Sequence, residues 1–179
     1  MSKAKHRKTW EACTRCPIAQ LACKHCLYRG VVPAEVLFVG EAPGKTEDVM
    51  GKPFVGRAGK LLDYWIEYAK TKIDFTYCIS NLVACRPTDR MGGENRVPTA
   101  EEINNCAPRL QELYDMCKPR VLVFLGQTAK AECRLPHKIL VHEIGLIHPA
   151  ACLRQGGQAA ETSNDARSRL AKELWSALA

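Results

Sequence analysis

Long apolar runs are missing from this chain of 179 residues. No stretch approaches the roughly 20 consecutive apolar residues that a membrane-spanning helix needs, and no apolar segment typical of a secretion signal follows the N-terminus. We therefore expect an intracellular, cytoplasmic protein without a membrane partner. No internal repeat is visible, and the length suits one compact domain with its own core.

Acidic residues are in the minority. The chain has 19 Asp and Glu against 26 Lys and Arg, which gives a formal net charge of +7. This excess suits a polyanionic partner, with nucleic acid as the first candidate, although a basic surface can also be merely solvated. Residues 1–9 are rich in basic side chains and lack apolar periodicity, so we expect a flexible basic arm there and a single domain over residues 10–179.

Cysteine, in contrast, is abundant, with ten residues. In a chain without a secretion signal, this favours metal or cluster ligation over a disulfide framework. Cys13, Cys16, Cys23 and Cys26 form two C-x-x-C pairs, which taken alone would suit a four-thiolate zinc site. The linker between the pairs is shorter than that of the usual zinc ribbon, which weakens this interpretation.

The segment of residues 36–62 has the most distinctive pattern. It begins with VLFV, a continuous apolar run typical of a strand buried on both faces, and the run ends at Gly40. A turn containing Gly and Pro follows, and the apolar spacing then predicts a helix from Gly56 to Lys70. Because ligands of open α/β sheets bind just beyond the carboxyl end of a strand, this turn is a candidate binding site.

Further strand patterns alternate with helical ones. Apolar runs predict strands within residues 76–85, 121–125 and 139–148, and the capping box from Thr99 to Glu102 opens a helix. This alternation predicts a three-layer α/β/α domain around a small central parallel sheet. The remaining helices are expected at residues 127–133 and 163–178.

Four strings together resemble a known family. They are GEAPG at residues 40–44, GKPFVGRAG at 51–59, NLVACRP at 81–87 and HPA at 148–150. In this motif order, the chain resembles the uracil-DNA glycosylase superfamily over about residues 10–155, and most of all its iron–sulfur branch, family 4. The resemblance implies the same α/β fold and an enzyme that flips uracil out of DNA and hydrolyses the bond between base and sugar. We expect it to act on DNA as a monomer.

The resemblance also implies a cofactor. Family members hold a [4Fe–4S] cluster on four cysteines, and the matching positions are Cys13, Cys16, Cys85 and Cys106. This ligand set leaves the second C-x-x-C pair without a role, so zinc on the two N-terminal pairs stays open as the alternative.

The resemblance assigns the base contacts to residues of the four strings. Phe54 would stack on the flipped base, Asn81 would read its edge, and His148 would donate a hydrogen bond to O2 as negative charge builds there. The backbone amides around Ala42 and Gly44 would help to fix the base and the adjacent phosphate. Without the resemblance, a core phenylalanine and a loop asparagine satisfied by backbone groups would explain two of these residues equally.

The carboxylate that handles the attacking water is the least certain assignment. The best-known branch of the superfamily has a carboxylate where this chain has Ala42. We expect Glu41 to orient the water or to shape the floor of the pocket. Glu47 and Asp48 are interpreted as solvated acids of the following loop.

Four residues would contact the DNA outside the pocket. Leu153 would fill the gap left by the flipped base, as apolar side chains do in kinked DNA. Arg57, Lys60 and Arg154 would meet phosphates, although solvated basic side chains are the alternative for each.

Two other functions fit the same pattern. The segment before HPA is short for family 4, and the Arg-rich loop at residues 85–99 is long. Both border the expected pocket, so a glycosylase of this fold that removes a different or modified base stays open. A catalytically inactive DNA-binding or regulatory protein of the same fold is the other alternative.

Overall fold

The structure is a computed structural model, and it describes residues 1–135 and 141–179. The described residues form a sheet of five strands, which are β1 (Arg29–Gly30), β2 (Val36–Gly40), β3 (Tyr77–Asn81), β4 (Val121–Leu125) and β5 (His142–Leu146). Their order across the sheet is β1-β3-β2-β4-β5. β2 lies parallel to both β3 and β4, β4 lies parallel to β5, and β1 runs antiparallel along β3.

Helices occupy the connections between the strands. The longest ones match the sequence-based expectations, since α4 begins one residue after Gly56 and the Thr99 capping box opens α5. The last helix starts earlier than the expected residue 163, and residues 139 and 140 of the expected last strand lie outside the described residues. The helices are α1 (Lys3–Glu11), α2 (Ile18–Leu21), α3 (Lys45–Met50), α4 (Arg57–Lys70), α5 (Ala100–Cys117), α6 (Gln127–Glu132), α7 (Pro149–Leu153) and α8 (Ala159–Leu178), with a 3₁₀ turn at Gly156–Gln158.

Both faces of the sheet are covered, which gives the predicted three layers. Because side chains alternate along a strand, Leu37 and Val39 of β2 point to one face, where they join a cluster with residues of α1 and α5. Val36 and Phe38 point to the other face and pack with residues of α4 and α8. All five residues of β2 and of β4 are buried, which explains their uninterrupted apolar runs. The predicted fold class is confirmed.

The flexible arm predicted for residues 1–9 is wrong, because residues from Lys3 onward form α1. Ser2 caps this helix, and its side chain accepts a hydrogen bond from the Lys5 amide. His6 and Trp10, one helical turn apart, are buried against α5, where the Trp10 indole donates to Glu112 Oε2 at 2.6 Å. Two aromatic side chains among many charges are too few to produce a visible apolar period, so the pattern was hidden.

Within the described ranges, no helix combines the length and the hydropathy required to cross a bilayer.

Candidate active site

A cavity of about 180 Å³ opens beyond the carboxyl end of β2. The chain passes from β2 to β3 on one side and later reaches β4 on the other, so this is the point where the strand order reverses. A water molecule in the liquid takes up about 30 Å³, so the cavity has room for a ring-sized ligand. We call it the base cavity, and its walls include residues 41–44, Glu47, Phe54, Asn95, Arg96 and His148.

The absence of a side chain at Gly40 brings two candidate base contacts together. A Cβ atom on Gly40 would lie 2.5 Å from Cζ of Phe54 and 2.5 Å from Oδ1 of Asn81. The ring and the amide therefore meet at the last residue of β2, although the sequence separates them by a helix and a strand. The glycine at this position is required by close approach rather than by backbone conformation.

Phe54 is held in an uncommon backbone conformation. Its φ is 53°, which is left-handed and costs a non-glycine residue about 1–3 kcal/mol. Gly59 of α4 makes this possible, because a Cβ there would lie only 1.9 Å from the Phe54 carbonyl oxygen. Phe54 is buried apart from its contact with the base cavity, and its ring centroid is 5.7 Å from that of His148. Backbone strain of this kind concentrates at functional sites.

Asn81 carries the clearest sign of a missing ligand. Its side chain is 1 % exposed, and neither Nδ2 nor Oδ1 has a hydrogen-bond partner in the described part of the chain. Buried amides are almost always paired, because an unpaired donor or acceptor costs about 1–3 kcal/mol. Asn81 is not itself part of the cavity wall, but its Oδ1 lies next to Gly40, beside the Phe54 ring that is.

His148 is half-buried and is positioned as a neutral hydrogen-bond donor. It is the N-cap of α7, and its Nδ1 accepts from the Ala150 amide at 3.1 Å. Burial, and then the positive charge of Arg154, lower the pKa of His148 to about 4, against a smaller opposite effect of Glu47. The ring is therefore neutral near pH 7, and because Nδ1 accepts, its proton is on Nε2.

The two carboxylates of the base cavity differ in how they are held. Glu47 Oε1 accepts from the amides of Val55 and Gly56, at 3.0 and 2.7 Å, so Glu47 is fixed by the start of α4. Glu41 lines the same cavity, and no residue in the described ranges forms a hydrogen bond or ion pair with its carboxylate. The solvated state expected for Glu47 and Asp48 is wrong, since Asp48 is 4 % exposed and accepts from the Cys23 amide.

The Arg-rich loop is tied down internally. Arg86 is buried and donates to Asn95 Oδ1 and to the Gly93 carbonyl. Arg96 binds both carboxylate oxygens of Glu102 in α5, and this contact contributes first to a lowered pKa of Glu102. Arg96 lines the base cavity, and Arg86 holds Asn95, another residue of its wall. The sequence contained a signal for this in the close spacing of the loop arginines to Asn95, but it did not show that they point inward.

The residues expected to contact DNA lie on the surface. Arg57 and Lys60 are exposed in the first turn of α4. Leu153, at the end of α7, is 36 % exposed, and Arg154 caps that helix and is close enough to His148 to affect its charge. Their placement is compatible with DNA contact on the side of the base cavity that α7 borders.

Four distant cysteines converge on a second cavity. Cys13 and Cys16 from the N-terminal segment, Cys85 from the loop after β3 and Cys106 from α5 all line it. Burial, followed by the charge of the Cys106 thiol, raises the pKa of Cys16, and burial followed by the same thiol raises that of Cys85. Several thiols that oppose one another's ionisation suit a cationic group such as iron, which would stabilise their thiolates. We call this space the thiol cavity.

The other N-terminal pair has a different environment. Cys26 is fully buried and its thiol donates to the Glu47 carbonyl at 3.1 Å, and burial raises its pKa to about 12. Cys23 is exposed beside Asp48, whose hydrogen bond and negative charge raise the pKa of the Cys23 thiol. Neither residue lines the thiol cavity. Besides burial, the neighbours that raise these two pKa values are carboxylates, whereas those that raise the pKa values of Cys16 and Cys85 include other cysteines.

In the described part of the chain, no group of three or more His, Cys, Asp or Glu side chains is arranged to hold a single metal ion. A structural zinc site needs four ligands at about 2.0–2.3 Å from one centre. The alternative of zinc on the two N-terminal pairs is therefore not supported by their geometry.

Comparison with known proteins agrees with the geometry. The model of the uracil DNA glycosylase superfamily matches residues 29–179. The chain belongs to this superfamily.

Curated relatives place the chain near one branch of the uracil DNA glycosylase superfamily. A Type-4 uracil-DNA glycosylase of Sulfurisphaera tokodaii is 40% identical over 117 residues, which are 65% of this chain and 50% of the relative. The protein of the same name from Archaeoglobus fulgidus is 37% identical over 118 residues, covering 66% and 56%, and that from Thermotoga maritima is 38% identical over 117 residues, covering 65% and 58%. The chain thus spans about half the length of the curated relatives it matches.

The superfamily match covers the two cavities unequally. All walls of the base cavity, together with Cys85 and Cys106, lie within residues 29–179. Cys13 and Cys16 precede that range, so the structure alone brings them to the other two thiols.

Proposed function

We propose that the chain is a monomeric uracil-DNA glycosylase of the cell interior, which flips uracil out of DNA and hydrolyses its N-glycosidic bond. A target base inside a duplex is inaccessible, so the nucleotide must leave the stack and enter a pocket. The proposal is supported most directly by the buried, unpaired amide of Asn81 beside the strained ring of Phe54.

The uracil ring is held by these two side chains. It stacks on Phe54, which is worth about 1–3 kcal/mol for a base on an aromatic ring. Asn81 donates from Nδ2 to O4 and accepts at Oδ1 from N3–H, and both atoms are free to do so among the described residues. The backbone around Ala42 and Gly44 borders the same cavity and approaches the base and its phosphate.

Bond cleavage leaves negative charge on the base and positive charge on the sugar. His148 donates Nε2–H to O2 of uracil, and since its Nδ1 already accepts from Ala150, it does so as a neutral ring. Glu41 orients the water that attacks the sugar, because its carboxylate makes no other bond within the described part of the chain. Glu47 is less suited to this task, since one of its oxygens is occupied by two amides.

Outside the pocket, DNA is held by the surface next to α7 and α4. Leu153 occupies the gap in the stack, and Arg57, Lys60 and Arg154 contact phosphates. Phosphate contacts of this kind make binding strongly dependent on salt.

The thiol cavity holds a [4Fe–4S] cluster on Cys13, Cys16, Cys85 and Cys106. The four side chains line one cavity and would hold the cluster as thiolates. The cluster would supply iron–sulfur bonds that join the N-terminal segment, the loop after β3 and α5. This is a structural role, distinct from the cleavage reaction.

The test is release of free base from a defined substrate. A single-uracil oligonucleotide and the same sequence with thymine should differ, with uracil released from the first and no base from the second. DNA binding without release of any base would contradict the glycosylase proposal and favour the inactive binder. Release of a base from oligonucleotides that carry modified pyrimidines, but not from uracil DNA, would mean that the chain is a glycosylase with a substrate other than uracil.

A further inference from the structure

Arg109 is a fully buried cation that links the thiol cavity to the end of β3. It lies on α5, is 0 % exposed and lines the thiol cavity. Its Nε donates to Cys106 Sγ at 3.2 Å. On the other side, Nη2 donates to the carbonyl oxygens of Asn81, at 2.5 Å, and Leu82. One guanidinium therefore contacts both a thiol of the proposed cluster and the backbone of the residue that reads the base.

The remaining donors of Arg109 are also used. Nη1 donates to the Leu27 carbonyl and to Ser80 Oγ, each at 2.9 Å. Together with the bonds from Nε and Nη2, this satisfies all five N–H groups of the guanidinium. Such a complete fit fixes the orientation of Arg109, and through it the end of β3.

The acceptors of Arg109 include no carboxylate. Burial of a guanidinium is costly unless an anion compensates it. Of the five acceptors, four are carbonyl or hydroxyl oxygens, and only the sulfur of Cys106 can become negatively charged. Of these acceptors, the Cys106 sulfur is thus the one that could compensate the charge, because a cysteine that ligates a cluster does so as a thiolate.

We propose that Arg109 is a positioning residue that couples the cofactor to base recognition. It is the charge partner of the Cys106 thiolate in the loaded cluster, and by the same guanidinium it clamps the backbone that carries the unpaired Asn81 amide. This inference rests on the proposed cluster and deepens its role: the cluster keeps the base reader in register. Hydrogen bonds and charge at a cluster sulfur also set its reduction potential.

Three variants separate the two halves of this role. In Arg109→Gln the charge and the fork are lost, so the reduction potential of the cluster should move to more negative values by at least about 59 mV, which is a tenfold change in the equilibrium constant of a one-electron reduction.

Arg109→Lys keeps the charge but not the planar fork. The reduction potential of this variant should stay within about 59 mV of the wild-type value. Backbone hydrogen exchange over residues 79–84 should become faster, and uracil release should slow about tenfold or more. The matched control is Ser80→Ala, which removes one neutral acceptor of Arg109 and should leave the potential unchanged.

The outcomes distinguish this proposal from the proposed function. Wild-type protein without bound iron would overturn the proposed cluster and with it the coupling, whereas the glycosylase proposal is decided separately by release of uracil from wild-type protein. Iron-loaded wild type that releases uracil, with an unshifted potential in Arg109→Gln or with wild-type exchange and release in Arg109→Lys, would overturn the coupling alone. Should Arg109→Gln fail to fold, the split between potential and exchange in Arg109→Lys decides the question, because a merely structural arginine would not produce that split.

Discussion

The two cavities at the carboxyl side of the sheet are built in opposite ways. At the base cavity, polar groups have no hydrogen-bond partner among the described residues: the carboxylate of Glu41 and the Nε2–H of His148 in its wall, and both amide atoms of Asn81, which lies behind the wall where Gly40 meets Phe54. In the thiol cavity, the buried charge of Arg109 has an acceptor for every donor. The unpaired groups at the base cavity lower the stability of the fold until a ligand pairs them. The hydrogen bonds of Arg109 stabilise the fold only when every donor has its acceptor.

This contrast indicates which ligand each cavity is suited to. Unpaired groups and a strained Phe54 are tolerable where a ligand binds and leaves at each turnover, because the ligand pairs them transiently. A cavity whose walls come from three distant parts of the chain is suited to a ligand that stays and contributes to folding. Changes in the thiol cavity should therefore affect the stability of the whole protein, and changes at the base cavity should affect uracil binding and cleavage more than stability.

The largest effect is expected from serine at Cys85 or Cys106. Either change removes a proposed cluster ligand from a buried position, so most of the iron and much of the folding stability should be lost together. Each kcal/mol lost lowers the midpoint of thermal unfolding by about 2–4 °C for a domain of this size. Iron analysis and thermal unfolding monitored by circular dichroism measure both quantities.

The matched control is serine at Cys23 or Cys26, which lie outside the thiol cavity. Iron should be retained in both, and Cys26→Ser should keep a hydrogen bond to the Glu47 carbonyl. Loss of iron from Cys26→Ser with iron retained in Cys85→Ser would show that the ligand set is wrong.

Two substitutions at the proposed base contacts should impair uracil release in different ways. Asn81→Asp replaces the donor to O4 by a negative charge, so binding of the flipped uracil and the rate of cleavage should both fall. His148→Ala removes a donor that gains value only as charge reaches O2, so kcat should fall about 10²–10³-fold with little change in binding. Single-turnover kinetics and a parallel binding titration on uracil DNA show the difference. If His148→Ala cleaves at the wild-type rate, His148 has no part in the reaction.

The sequence indicated the position of the base cavity through the strand patterns themselves. Asn81 ends β3 and His148 follows β5, and a parallel sheet gathers the carboxyl ends of its strands at one edge, whereas the role of Phe54 was implied by the family resemblance. What the sequence could not show is orientation: that the amide of Asn81 is unpaired, that Glu47 is held by two amides, and that Arg86 points inward to Asn95.

The thiol cavity depends on contacts that leave no local pattern. Convergence of Cys13 with Cys106 requires α1 to dock on α5, and that contact rests on His6 and Trp10 in a segment dominated by charge. Arg109 looks like an ordinary surface residue of an amphipathic helix until its five acceptors are known. Such long-range polar contacts are fixed by tertiary packing, which periodicity does not report.

A smaller effect is expected on how the free energy of unfolding depends on pH, through His148. Unfolded histidine has a pKa of about 6.5, whereas that of His148 in the folded protein is about 4. Between these values the unfolded chain binds more protons, so the free energy of unfolding should fall as pH drops from about 6.5 toward 4, by at most about 1.4 kcal/mol per pH unit. His148→Asn should reduce this slope in urea unfolding at pH 7 and 5. The lowered pKa of His6 has the same sign and remains in both proteins, so only the difference between them is diagnostic.

The smallest effect is expected on the salt dependence of DNA binding, when an arginine is replaced at one edge of the sheet or at the other. Arg154 is exposed next to His148, at the edge where the base cavity opens, and Arg120 is exposed at the opposite edge, just before β4 begins. If DNA lies over the base cavity, Arg154→Gln removes about one phosphate contact and reduces the slope of log K against log salt by about 0.9. Arg120→Gln has the same change in charge and should leave the slope unaltered.

Both variants should be titrated with uracil-free duplex between 50 and 200 mM salt, a range over which one contact changes affinity by roughly 3–4-fold. Equal slopes for the two variants would mean that the positive charge attracts DNA without regard to the edge, and the assignment of Arg154 as a phosphate contact would be wrong.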